Sequence, residues 1–233
     1  MLNELLSIFR AGNPLKKMGD EFAEMLSLTC EMNLSAGKLF FREEQSPEVR
    51  SAIYFKDVRV NRLERKIRKR VVSHLSVGNS QHLPYCLLLM SQVKDVERLG
   101  DYAKNLAEVP DIYSGALPED AIVDDLREIR SNVEEAFQAT AQIFLSSDRD
   151  RALALIRHGK DLAKRADGLL TRIAQSDYNS GQTAALILGS RYYKRIGGHL
   201  LNVVSSVVMP LHKVDYYDES EVPELADGTV DDK

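Results

Sequence analysis

The sequence predicts an all-α protein built as two tandem antiparallel three-helix bundles. Three observations predict it. Apolar residues recur at three- and four-residue steps through six long stretches. The stretches are separated by short turns, which make consecutive helices antiparallel neighbours. A motif near the end of the third stretch also returns, in altered form, 97 residues later in the sixth. No alternating valine- or isoleucine-rich run bounded by hairpin turns competes with this reading.

Residues 1–14 form an N-terminal extension, with a short amphipathic helix over Leu2 to Phe9 stopped by Gly12-Asn13-Pro14. The first bundle spans 15–110. Its first helix runs from Leu15 to Phe41, with Met18, Phe22, Met25, Leu26, Cys30, Leu34 and Leu39 on the apolar face. Ser46-Pro47-Glu48 starts the second helix with an N-cap, a proline at the first helical position and an acid in the first turn. That helix runs to Leu75 and stops near Gly78-Asn79. The third begins between Ser80 and Pro84 and ends at Pro110.

Asp111 to Pro118 is a Gly/Pro loop between the halves. The second bundle spans 118–212. Its helices run from Glu119 to Leu145, from a Ser147-Asp148 cap to Ser176, and from Gln182 to Val208, where Pro210 ends the last. Helices of this length measure about 40 to 48 Å at 1.5 Å per residue. Residues 214–233 form an acidic tail with little apolar content, expected to be disordered.

Composition narrows the function classes. The tail carries eight acids against Lys233, a charge of −7. This leaves +3 for the body of a chain whose total is −4. No apolar run approaches the roughly 18 residues of a membrane helix. The start, Met1-Leu2-Asn3-Glu4, lacks the basic region of a secretory signal. Cys30 and Cys86 lie inside helical patterns and read as buried thiols of a reducing, cytoplasmic compartment. The basic run Arg59, Arg62, Arg65, Lys66, Arg68, Lys69, Arg70 is spread around its helix with no interleaved aromatics. It therefore fits a solvated face or an acidic protein partner better than nucleic acid. His74, His82, His158, His199 and His212 pair with no cysteine or serine. There is no phosphate-binding glycine loop and no nucleophile elbow. An enzyme hydrolysing phosphate esters through a carboxylate-bound metal lacks a nucleophile or histidine beside its acids.

The stretch Lys94 to Glu108 carries the informative chemistry. Glu97 and Asp101 leave the helix on one face, four residues apart. Gly100, in a helix interior, suggests a close approach by a neighbour. On the second helix Asp57 and Asn61 repeat the spacing. Four oxygen donors converging from antiparallel helices suit a hard cation such as Mg²⁺, Mn²⁺ or iron. Spacing alone is weak, since Asp20/Glu24 and Asp124/Glu128 have it too. No Glu-x-x-His di-iron motif is present. In the later copy, Lys194 to Asn202, the Arg, Gly and Asn return, and Lys194 and Gly198 stand at the acid positions. His199 stands where Tyr102 stands, with a packing or surface role as the default.

These residues resemble a family. Val96-Glu97-Arg98-Leu99-Gly100-Asp101-Tyr102-Ala103-x-Asn105-Leu106-Ala107-Glu108 is similar to the signature of the phosphate-uptake regulator PhoU family. Asp57 to Glu64 resembles that family's second-helix motif. The resemblance implies tandem three-helix bundles and a metal (iron, Mn, Mg or Zn) held by acid-x-x-x-acid motifs. Carried onto this chain, the ligands are Asp57, Asn61, Glu97 and Asp101, in the first bundle alone. In the second, an offset of 104 puts Asp161 and Arg165 at the Asp57 and Asn61 positions, and an offset of 106 puts Ala163 and Asp167 there. The implied function is a non-enzymatic regulator or adaptor of phosphate uptake and phosphate-starvation signalling. Its implied partners are a phosphate transporter, either ABC-type or a sodium-phosphate symporter, and a sensor histidine kinase. Membrane contact is expected only through the partner, and a homodimer is expected. The alternative is a metal-free helical scaffold or an accessory subunit of a sodium-phosphate symporter.

Overall fold

A computed structural model describes residues 14–215. The expected helix over Leu2 to Phe9 and the tail beyond Asp215 lie outside the described residues. Within them are six long helices: α1 Pro14–Phe40, α2 Pro47–Ser76, α3 Leu83–Ile112, α4 Ala121–Ser146, α5 Arg149–Ala174 and α6 Ser180–Val208. Single 3₁₀ turns precede α3 at Ser80–His82 and follow α6 at Leu211–Lys213.

The helix starts follow from local chemistry. The Ser46 hydroxyl accepts from the Val49 amide, and Pro47 follows it. Asp120 accepts from Ile122 and Val123, so α4 starts at Ala121, two residues past the expected Glu119. Asp148 accepts from Arg151. Asn179 and Gln182 form a reciprocal capping box on α6. Pro110 does not end α3; the helix continues two residues to Ile112, and Tyr113 closes the last turn by donating to Val109. The proline costs only one late hydrogen bond there. Arg42 closes α1 from a left-handed backbone (φ 62°). Its guanidinium donates to the Leu39, Phe40 and Tyr113 carbonyls, tying the end of α1 to the end of α3.

Each half forms the expected bundle, and the halves share one core. Phe22, Met25, Phe40, Val60, Leu99 and Leu106 of the first half are continuous with Val123, Leu126, Phe137, Leu186, Tyr193 and Ile196 of the second. The α3–α6 seam between bundles is as extensive as the α1–α3 seam within one. Arg130 on α4 makes a separate link between the halves, to the end of α1, bonding Glu43 at 2.5 Å while its guanidinium lies 5.2 Å over the Phe41 ring. A second cluster at one end of the second bundle joins Ile143, Ile156, Leu201, Val204 and Met209. Val214 is buried in it, and the Asp215 amide donates to Ser205, so the first two residues of the expected tail are packed.

Candidate metal centre and the bundle seam

Asp57 and Asn61 leave α2 on the side facing α3, and Glu97 and Asp101 leave α3 nearby. A side-chain carbon built on Gly100 would lie 3.7 Å from the Asp57 carboxylate, between the two pairs. The four predicted residues are therefore brought to one interhelix surface. What stands among them was not expected. Lys104, one turn beyond Asp101, places its ammonium 2.9 Å from Asp57 Oδ2 and 3.2 Å from Asp101 Oδ1. The Asn61 amide donates to that same Asp57 oxygen at 3.2 Å. Arg98 adds 3.3 Å to Asp101 and 3.9 Å to Glu97.

The electrostatics agree with the geometry. Burial works against the charge of Lys104, but Asp57 and Asp101 outweigh it and hold the amine above its ordinary range. Glu97 is raised, first by burial and then by Asp101 and Glu64. The donor set as placed does not fit a metal ion. Its central carboxylates already accept from an ammonium, and Asn61 offers them its donor end. Among the described residues no three His, Cys, Asp or Glu side chains are arranged to hold one.

The second bundle settles the register left open by sequence. Lys194 Nζ on α6 lies 2.6 Å from Asp167 Oδ2 on α5, and Arg191 is 3.9 Å from the same carboxylate. The offset of 106 is the one that places Asp167, at the Asn61 position, on this surface. Asp161 is instead an exposed residue 4.0 Å from its own-helix neighbour Lys164.

One other expectation changes, and one is made specific. Gly100 is no site of tight approach: its nearest neighbours to an added carbon are Met32 at 3.4 Å and Thr29 at 3.6 Å, ordinary contacts. At Gly197 only Val133 comes within range, at 3.9 Å. The tightest approach to a glycine among the described residues is at Gly189, where the added carbon would lie 2.3 Å from the Phe40 ring. His199 proves to be part of the bundle seam. Its Nδ1 is 2.7 Å from Asp95 Oδ1, which also accepts from Asn202 at 2.7 Å; Asp95 is 7% exposed. Cys30 and Cys86 are free thiols, and burial is the main cause raising both.

Lys104 stands outside the predicted ligand set. It lies three positions after Asp101 and seven after Glu97, on their helix face, which is itself a readable signal. The Asp95–His199 contact had no such signal, because it joins positions 104 residues apart.

The comparisons agree with the architecture. Residues 15–109 match the family model described as the PhoU domain. No curated protein matches the chain. The crystal structure of PhoU from Pseudomonas aeruginosa is similar, with a TM-score of 0.75 at 20% identity over 84% of this chain and 95% of that one. The phosphate transport system regulatory protein PhoU from Streptococcus pneumoniae gives 0.72 at 16% identity, over 89% and 96%. The first bundle of this chain thus matches the PhoU domain model, and the two bundles together have the fold of those PhoU structures.

Proposed function

We propose that this chain regulates phosphate uptake as an adaptor, through protein contact with a phosphate transporter and the kinase that senses phosphate. The PhoU domain over residues 15–109 carries the reading. The similarity to a structure described as a regulatory protein of a phosphate transport system supports it. None of the described helices is long and apolar enough to cross a membrane, so contact with a transporter requires a surface.

The outer ridge of α2 is the surface we assign to that contact. Structure sorts the basic run of this helix. Arg59 pairs with Glu24, Lys66 and Arg70 with Glu21, and Arg68 with Glu64. Arg62, Arg65 and Lys69 are exposed and have no partner among the described residues. They continue a ridge with Phe55 (75% exposed), Val58 and Val72 at three- and four-residue steps. A basic ridge with apolar ends fits an acidic protein surface with apolar patches. The test is a phosphate-starvation reporter in cells lacking the gene. Expression in phosphate-replete medium supports the proposal, and a reporter that responds as in the parent strain refutes it.

The alternative of a metal-free scaffold draws support from Lys104. In that reading the regulator holds its shape without a cofactor, and phosphate control rests on the contact surface alone.

A further inference from the structure

We infer that lysine takes the place of metal in both bundles, so that the chain neutralises its interhelix carboxylates with its own ammonium groups and takes up no metal ion at either position. The observation is made twice, independently. In the first bundle Lys104 bridges Asp57 on α2 and Asp101 on its own helix at 2.9 and 3.2 Å. In the second, Lys194 reaches across from α6 to Asp167 on α5 at 2.6 Å. Both contacts join the last two helices of a bundle, and in the first of them the resemblance implied a metal. The two lysines come from different repeat positions: Lys194 stands at the position of Glu97, and Lys104 seven residues later. The same outcome is therefore reached by two different substitutions.

The chemistry of the donors explains why the ion is excluded. A cation bound by Asp57 and Asp101 must use the oxygens that now accept from Lys104. The ammonium would have to leave a partly buried position, where its side chain is 21% exposed, and a second cation would take its place beside Arg98. Asn61 supplies an amide donor to Asp57 and no negative charge. In the second bundle Asp167 is the one carboxylate at the contact, and one carboxylate does not supply the ligands a hard cation needs. The Lys104 pair still ties α2 to α3 without dependence on metal supply, and the more exposed Lys194–Asp167 pair bridges α5 and α6 more weakly.

Metal content and melting of the purified full-length chain test this, and neither depends on the phosphate-regulation reading. The chain is exposed to Mn²⁺ or to Fe²⁺, desalted and measured by elemental analysis; its melting is then followed with Mn²⁺ and with chelator. The wild-type protein should hold far less than one ion per chain and melt at the same temperature in both conditions. Lys104→Ala should melt several degrees lower, bind Mn²⁺ and recover stability with it. Adding Asp57→Asn and Asp101→Asn should abolish that binding. Lys194→Ala should melt lower and gain no metal. Stoichiometric metal on the wild-type chain that Asp57→Asn removes would overturn the inference. So would a Lys104→Ala protein that neither loses stability nor responds to Mn²⁺. If Lys104→Ala does not fold, the wild-type measurements decide.

Discussion

Tyr102 of α3 and His199 of α6 hold the same place in the two copies of the repeat, and their rings stack with centroids 5.6 Å apart. The neighbouring contacts obey the same exchange. Tyr102 packs on Tyr192 at 6.1 Å. Replacing each residue by its counterpart 97 positions away turns that pair into His199 and Asp95, which are hydrogen-bonded. The bundles are thus related by an approximate two-fold axis through the α3–α6 seam. The two halves share this geometry, with ring packing at one of the equivalent contacts and a polar pair at the other.

The polar half of this seam predicts a stability effect. Asp95 is buried and accepts from both His199 and Asn202. Removing both donors, as His199→Ala with Asn202→Ala, strands a carboxylate and should cost about 3 kcal/mol. Urea unfolding followed by circular dichroism measures it, and the wild type should unfold in one transition because the bundles share a core. A cost below about 1 kcal/mol would show that the seam does not depend on this contact.

Two glycines should respond oppositely to alanine. Gly189→Ala drives a carbon into the fully buried Phe40 ring and should cost about 1 to 3 kcal/mol. Gly100→Ala meets only ordinary contacts and should be neutral, or stabilising by up to about 1 kcal/mol, because alanine is the better helix former. Thermal melting of the two variants distinguishes them. Equal losses would mean that Gly100 is under the same steric constraint as Gly189.

Asp215 predicts a pH dependence. Burial first, then Asp95, push its carboxyl from 3.8 up to about 6, against the opposing pull of Gln92, His199 and Lys94. The folded state therefore binds this proton more tightly than the unfolded chain. The contribution to stability is fully present below about pH 4 and is lost as pH rises through about 6. Glu97, also raised, acts in the same direction. Asp215→Asn should flatten this part of the profile and add about 1 kcal/mol at neutral pH, after discounting for solvent screening of a half-exposed group. Asparagine also tolerates the left-handed backbone at this position (φ 77°). Urea midpoints from pH 4 to 8 test it; an unchanged slope would show that Asp215 ionises freely in the folded chain.

The ridge on α2 predicts loss of regulation without loss of fold. Reversing Arg62, Arg65 and Lys69 to glutamate removes three unpaired cations from an exposed face. Melting should change little, because these side chains have no partner among the described residues. Phosphate-starvation genes should become active in phosphate-replete cells, as in a deletion. A triple variant that regulates normally would move the contact to another face.

Much of this architecture was legible because the signals are local. Ser46-Pro47 and Asp148 cap helices through bonds to residues three positions on, and each marked its helix, whereas Asn179, which caps α6 in the same way, lay in a stretch that reads as a turn. The apolar period likewise identified Met18, Phe22, Met25 and Leu26, all of which are buried. Pro110 was misleading, because a proline near a helix end sacrifices little and the helix ran past it. The site was legible as a place but not as a chemistry. The i, i+4 carboxylates located the α2–α3 surface, but the charge that occupies it comes from Lys104, whose role depends on how α2 is set against α3. The Asp95–His199 pair depends on the packing of the bundles against each other, which no local pattern encodes.

The most direct test of the account is the initial rate of radiolabelled phosphate uptake by phosphate-replete cells, compared between the parent strain, a strain lacking this gene and the deletion complemented with it. A phosphate-uptake regulator acting by protein contact predicts that loss of the chain changes the uptake rate several-fold and that complementation restores it. A deletion strain that takes up phosphate at the parental rate would contradict it.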